Sequence, residues 1–185
     1  MRISKTDDVA TDRVWLVWHT PALLQPGDAE LDLLSSALSD GKDSRLYKAL
    51  VHDQRIATDV SARQSSQAFE SFFVIEATAS DGHTADELVK AIDDVLIEAR
   101  KTGISKDEIE VGLTSYEVGF FSGLTTIQGK ADTLNNYNIR TGDPGYLAKD
   151  LDRYRKATDD GVTAALRTHL VPDKRLILSI GPEAK

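Results

Sequence analysis

The chain has 185 residues, enough for one domain that buries roughly 70% of the surface its unfolded chain exposes. It carries 22 Lys plus Arg against 30 Asp plus Glu, a net of −8 with no basic run, so it lacks the phosphate-neutralising face that nucleic-acid binding needs. The absence of cysteine excludes a disulfide framework and thiolate metal ligation, and leaves the compartment open between cytosol and periplasm.

Residues 1–12 are polar and charged, without the apolar centre of a signal peptide, and no window approaches the roughly 18 apolar residues of a membrane span. Val14 to Thr20 is a β-branched and aromatic run stopped by Pro21 and by Pro26 with Gly27, which predicts a largely buried strand. Leu31, Leu34 and Leu38 recur at helical spacing, and Gly41 supplies a stop. Ser44 is placed to cap a short helix with Leu46, Ala49 and Leu50 on one face. Two extended runs, 58–64 and 71–79, flank the polar Ser65, Ser66 and Gln67, and a β-hairpin is the economical reading.

Thr84 with Glu87 makes a capping box, after which Leu88, Ile92, Val95, Leu96 and Ala99 line one face until Gly103. Ser105 with Glu108 repeats the device. The helix it opens carries Ile109, Leu113, Tyr116 and Phe120, yet Gly112, Gly119, Gly123 and Gly129 would each cost about 1 kcal/mol inside it, which predicts close packing, kinks or breaks. Beyond the turn at 142–145, residues 146–156 and 158–170 read as two more helices, and 175–181 as a final short strand. The expected fold class is α+β, a mainly antiparallel sheet with helices packed on one face. Leu34, Leu38, Leu46, Leu50, Val74, Leu88, Ile92, Leu96, Leu113 and Leu178 are the expected core.

Residues able to do chemistry are scattered. The four histidines, His19, His52, His83 and His169, include no two that lie three to five apart, so no helical turn presents two imidazoles to one metal. No Ser sits in a Gly-x-Ser-x-Gly setting, and Gly27, Gly41 and Gly103 stand alone, so neither a nucleophile elbow nor a phosphate-cradling loop is written here. Asp93 and Asp94 are expected on the solvated face of their helix; Asp159 and Asp160 fall in a first turn, where negative charge complements the macrodipole. Arg45 and Tyr47 are two apart on a helix and point to different faces, so they cannot form a joint clamp.

Two blocks carry a resemblance. The first runs from Gly41 through Ser44, Arg45, Leu46, Tyr47 and Leu50, closed by residues 56–62; the second is residues 129–137 followed by 141–146. Together they resemble the second, non-catalytic domain of the insulinase, pitrilysin and mitochondrial-processing-peptidase family of zinc metallopeptidases, over most of residues 14–181. The resemblance implies the same α+β layout, one domain over 1–185 belonging to a larger multi-domain protease as fragment or subunit, and a chamber in which a facing zinc domain hydrolyses unfolded peptide. The family's His-x-x-Glu-His signature is absent from this sequence. In many relatives the helix matching residues 46–54 carries an Arg directly after its Leu and a Tyr seven positions on, and that pair contacts substrate. Here Val51 and Thr58 stand in those places, and neither can replace its counterpart: Val51 offers no donor and Thr58 lacks a phenol's reach.

The expectation is therefore a substrate-chamber or scaffold domain with no catalytic, cofactor-binding or metal-ligating residue of its own. Its expected partners are a zinc-bearing homologous domain, which holds the zinc, and peptide substrate; Arg45 and Tyr47 read first as a structural or solvent-facing cation and a packed helix face, with one of them lining the chamber as the functional alternative. A purely structural assembly module derived from the same family is the alternative. An independent hydrolase built from scattered His and Asp has no spacing to support it.

Overall fold

The computed structural model describes residues 1–183. Five strands form a mixed sheet in the order β1, β5, β2, β4, β3: β1 is Arg2–Asp7, β2 Arg13–Thr20, β3 Ala57–Ser65, β4 Ser71–Ala79 and β5 Arg175–Pro182. Three of the four pairings are antiparallel and only β1 with β5 is parallel. The described residues also form six α-helices: α1 Asp28–Ser39, α2 Ala85–Thr102, α3 Lys106–Gly123, α4 Ile127–Thr141, α5 Leu147–Arg155 and α6 Asp159–His169.

The expected hairpin is β3 with β4, with a register shift between Ala57 and Asp59 that leaves Thr58 as the bulged residue. Both capping boxes form: Thr84 and Ser105 accept from the N–H of Glu87 and Glu108, whose carboxylates return to the cap N–H. The segment predicted as an α-helix after Ser44 is instead a π-helix over Tyr47–Asp53, in which Gln54 N–H reaches back to Ala49 O. Ser44 is buried and donates to the Gly41 carbonyl rather than capping. The wide turn still delivers Leu46 and Leu50 to the core.

Strand β1 was not expected from the sequence. It is a polar edge strand whose burial alternation is too weak to read, and it exists because β5, its partner from the far end of the chain, offers a free edge. The long glycine-bearing helix also breaks: α3 stops at Gly123, Leu124 and Thr125 turn, and Thr126 caps α4 through the Gly129 N–H. Gly112 is the close-packing glycine. A Cβ there would lie 3.1 Å from Ser36 of α1.

The core lies between the helices and the sheet face that carries Val14, Leu16 and Trp18 of β2 and Phe73, Ile75 and Ala77 of β4. Leu34, Leu38, Leu46, Leu50, Leu88, Ile92 and Leu96 join it as expected. Leu113 is only half-buried against it. Leu178 is a correction: it pairs with Trp15, whereas Ile177 pairs with Leu16, so strand alternation turns Ile177 toward the helices and Leu178 to the opposite face. Val74, paired with Val17, is buried on that opposite face as well.

Candidate interaction surfaces

The residues singled out for chemistry fall into separate places. His19 is exposed on β2 with Glu70 3.5 Å away, His52 adjoins Asp53 at the end of the π-helix, His83 precedes α2, and His169 closes α6. Burial pushes the His169 imidazole below its usual pKa. Among the described residues no group of three His, Asp or Glu side chains comes together in a way that could hold a metal ion.

Arg45 is fully engaged within the fold. Its guanidinium grips Glu108 in two bonds, Nε to Oε1 at 2.6 Å and Nη2 to Oε2 at 2.8 Å, and Nη2 also donates to Gly103 O at 2.6 Å. Burial pushes the Glu108 carboxyl up, but Arg45 and the Ser105 donors outweigh it and hold it down at about 2. This clamp ties the turn just before the π-helix to the α2–α3 junction. Tyr47 and Val51 are half-buried against the core, and Thr58 is exposed.

Asp93 departs from the expectation of a solvated face. Arg175 of β5 grips it with Nη1 at 2.5 Å and Nη2 at 2.8 Å while lying over the Trp18 ring, so the pair ties α2 to the sheet. It sits one residue from buried Ile92, at the boundary of the apolar stripe, where a long partner from a neighbouring strand can reach. Asp94 pairs with Lys90 on the surface, and Asp159 with Asp160 lies in the first turn of α6.

A polar network that sequence reading did not find joins α1, α4 and α5. Asp28 is fully buried and accepts from Arg153 Nη2 at 2.7 Å, Ser66 Oγ at 2.6 Å and the Leu24 N–H at 2.9 Å. The other arm of Arg153 reaches Asp150, which also takes the Tyr137 hydroxyl at 2.7 Å. Tyr154, stacked on Tyr116 at 3.5 Å between ring centroids, donates to Asp32 at 2.6 Å. Burial, with Asp28 and Asp150 adding to it, raises Asp32 to about 6 against the opposing pull of Tyr154 and Arg153. The i, i+4 pair Asp28 and Asp32 was the available signal, and nothing local says which cation meets it.

Two surfaces remain. On the sheet face away from the core, the register aligns Ile3 of β1, Leu178 of β5 and Trp15 of β2, with Leu176, Val17 and Val74 beside them. Apart from buried Val74 these apolar side chains are half-buried, edged by Arg13, Arg63 and Glu76. The second surface is the outer side of α3 and α4, where Val118, Phe121, Ile127, Leu134 and Ile139 are exposed and no residue of α4 is buried.

Helices on one face of a mainly antiparallel five-stranded sheet, with the other face apolar and half-exposed, define an α+β domain. Residues 2–116 match the family model of the peptidase M16 inactive domain, and the chain belongs to that family. It is 27% identical over 134 residues to the zinc protease PqqE of Helicobacter pylori, an alignment covering 72% of this chain and 30% of that protein. A protease structure from the same organism superposes with a TM-score of 0.87 at 21% identity, covering 98% of this chain and 44% of that one. An inactive peptidase domain from Bordetella parapertussis gives 0.80 at 23% identity, covering 92% of each chain. The chain thus spans less than a third of the length of the curated relatives it matches. The second block of the resemblance, 129–146, lies beyond the family model but within the fold match to the Helicobacter pylori structure.

Proposed function

We propose that this chain is the non-catalytic domain of an M16-type zinc metallopeptidase, forming scaffold and chamber wall around a homologous domain that holds the zinc and cleaves peptides. In this reading residues 1–185 are one domain of a larger protease or one of its subunits, with no catalytic, cofactor-binding or metal-ligating residue of their own. The observation that carries it is the half-exposed apolar face centred on Trp15, Val17 and Leu178, on a chain whose Arg45 and Asp93 are spent on internal ion pairs. An apolar sheet face gains stability only when something covers it. A wall that excludes water and positions substrate raises the rate of a neighbouring metal centre without touching the reacting atoms.

Trp15→Glu places a charge on that face while leaving the helical core alone. Mixed with the zinc-bearing domain, the wild-type chain should raise hydrolysis of an unfolded peptide over the zinc domain by itself, and the variant should not. Equal hydrolysis with and without the chain would remove the chamber role and leave the assembly-module reading, which Arg45 supports as a purely structural cation.

A further inference from the structure

The turn between β2 and α1 is held open in an uncommon conformation. Leu24 has φ of +67°, in the left-handed region that L side chains rarely adopt, and buried Asp28 fixes it there by accepting its N–H. The Leu23 N–H is fixed in turn by Gln67 O at 2.9 Å. The two leucines line adjoining cavities of about 370 and 680 Å³, and α4 supplies the opposite wall with Asn136 and Arg140, one helical turn apart. Phe120 and Gly119 of α3 close the smaller cavity, where a Cβ added at Gly119 would meet nothing within 4 Å.

The polar groups around this trough are not equivalent. Asp150 and Tyr137 are consumed by each other and by Arg153. Arg140 has no ion-pair partner among the described residues, a guanidinium left free beside leucines in a chain of net charge −8. A planar guanidinium with a neighbouring amide fits a carboxylate. Leu23, Leu24, Asn136 and Arg140 line both cavities, so one ligand residue must satisfy the cation and the apolar wall together. In a peptide, only the last residue carries an apolar side chain and a carboxylate on the same Cα.

We propose that this trough binds the C-terminal end of a peptide whose last residue is apolar, its carboxylate on Arg140 and Asn136 and its side chain against Leu24 and Phe120. The site needs no zinc-bearing partner, so it stands apart from the function proposed above and is testable on the 185-residue chain. The probe is an N-terminally dye-labelled pentapeptide, Ala-Ala-Gly-Ala-Phe, as free acid and as C-terminal amide, followed by fluorescence anisotropy. The acid should bind saturably and the amide about 10-fold or more weakly, the loss expected when a charge-assisted pair is removed. Arg140→Gln should weaken the acid by about the same factor and leave the amide unchanged. Gly119→Leu, which fills the cavity on a helix that prefers Leu to Gly, should abolish acid binding with an unaltered circular dichroism spectrum. Equal binding of acid and amide, undiminished acid binding by Arg140→Gln, or octanoate displacing the dye as well as the unlabelled peptide does would each overturn the proposal. So would the absence of saturable binding to the wild-type chain.

Discussion

Helices α2 and α4 open with the same device, a threonine accepting an N–H in the first turn, and then part company. Along its 18 residues α2 buries Leu88, Ile92, Leu96 and Ala99 against the sheet, whereas α4 runs 15 residues without burying any. Capping chemistry therefore says where a helix starts and nothing about what it packs on. The body built on α1, α2, α6 and the sheet is held by apolar burial. The outer region of α3, α4 and α5 reaches that body through Ile109, Tyr154 and the close approach at Gly112, and adds to them a polar joint in which Arg153 and Tyr154 bond Asp28 and Asp32 of α1. If that contrast is real, the two regions should respond to different perturbations.

The largest effect should come from the polar joint. Asp28→Ala removes the carboxylate that Arg153, Ser66 and the strained Leu24 all use, leaving a partly buried guanidinium short of its partner. Denaturant unfolding should show a loss of about 3–5 kcal/mol. A loss below about 1 kcal/mol would mean that the outer region is not held this way. Leu96→Ala, at a position 1% exposed in the apolar body, should cost about 2–5 kcal/mol by the same measurement.

The apolar body was the legible part. Capping boxes at Thr84 and Ser105 and the extended runs that became β2 and β4 are local patterns, and local patterns survive into the fold. What escaped was set by partners distant in sequence. Strand β1 has too little apolar alternation to announce itself and depends on β5; Leu178 needed the register with Trp15 to reveal its face; Asp93 needed Arg175. Of the candidate site, the sequence yielded Arg45 and Tyr47 as residues of interest, while the trough escaped because it joins Leu24 to Arg140 across more than a hundred positions.

Proton linkage offers a subtler separation. Asp32 sits where α1 meets the Tyr154 and Tyr116 pair, and its folded pKa of about 6 lies above the 3.8 of an ordinary carboxyl. A carboxyl raised in the folded state gives stability that is complete below the unfolded value and is lost as pH rises through the folded one. The wild-type chain should therefore lose stability relative to Asp32→Asn as pH climbs from about 4 through 6, and the difference should level off above that. A difference that stays flat across this window would place Asp32 in water rather than in the joint.

The smallest effects test α4 itself. Thr84→Ala removes a cap from a helix whose whole inner face is packed, and should cost about 1 kcal/mol. Thr126→Ala removes the same bond from α4, but a helix with no buried residue can fray at its first turn without exposing core, so global unfolding should register less. Ile127→Ala, at a side chain 88% exposed, should fall within about 0.5 kcal/mol of wild type. Hydrogen exchange separates the cases: Thr126→Ala should speed exchange along α4 while leaving α2 protected, because the two helices draw on different sources of stability. Equal acceleration in both would mean that α4 is a cooperative part of the apolar body after all.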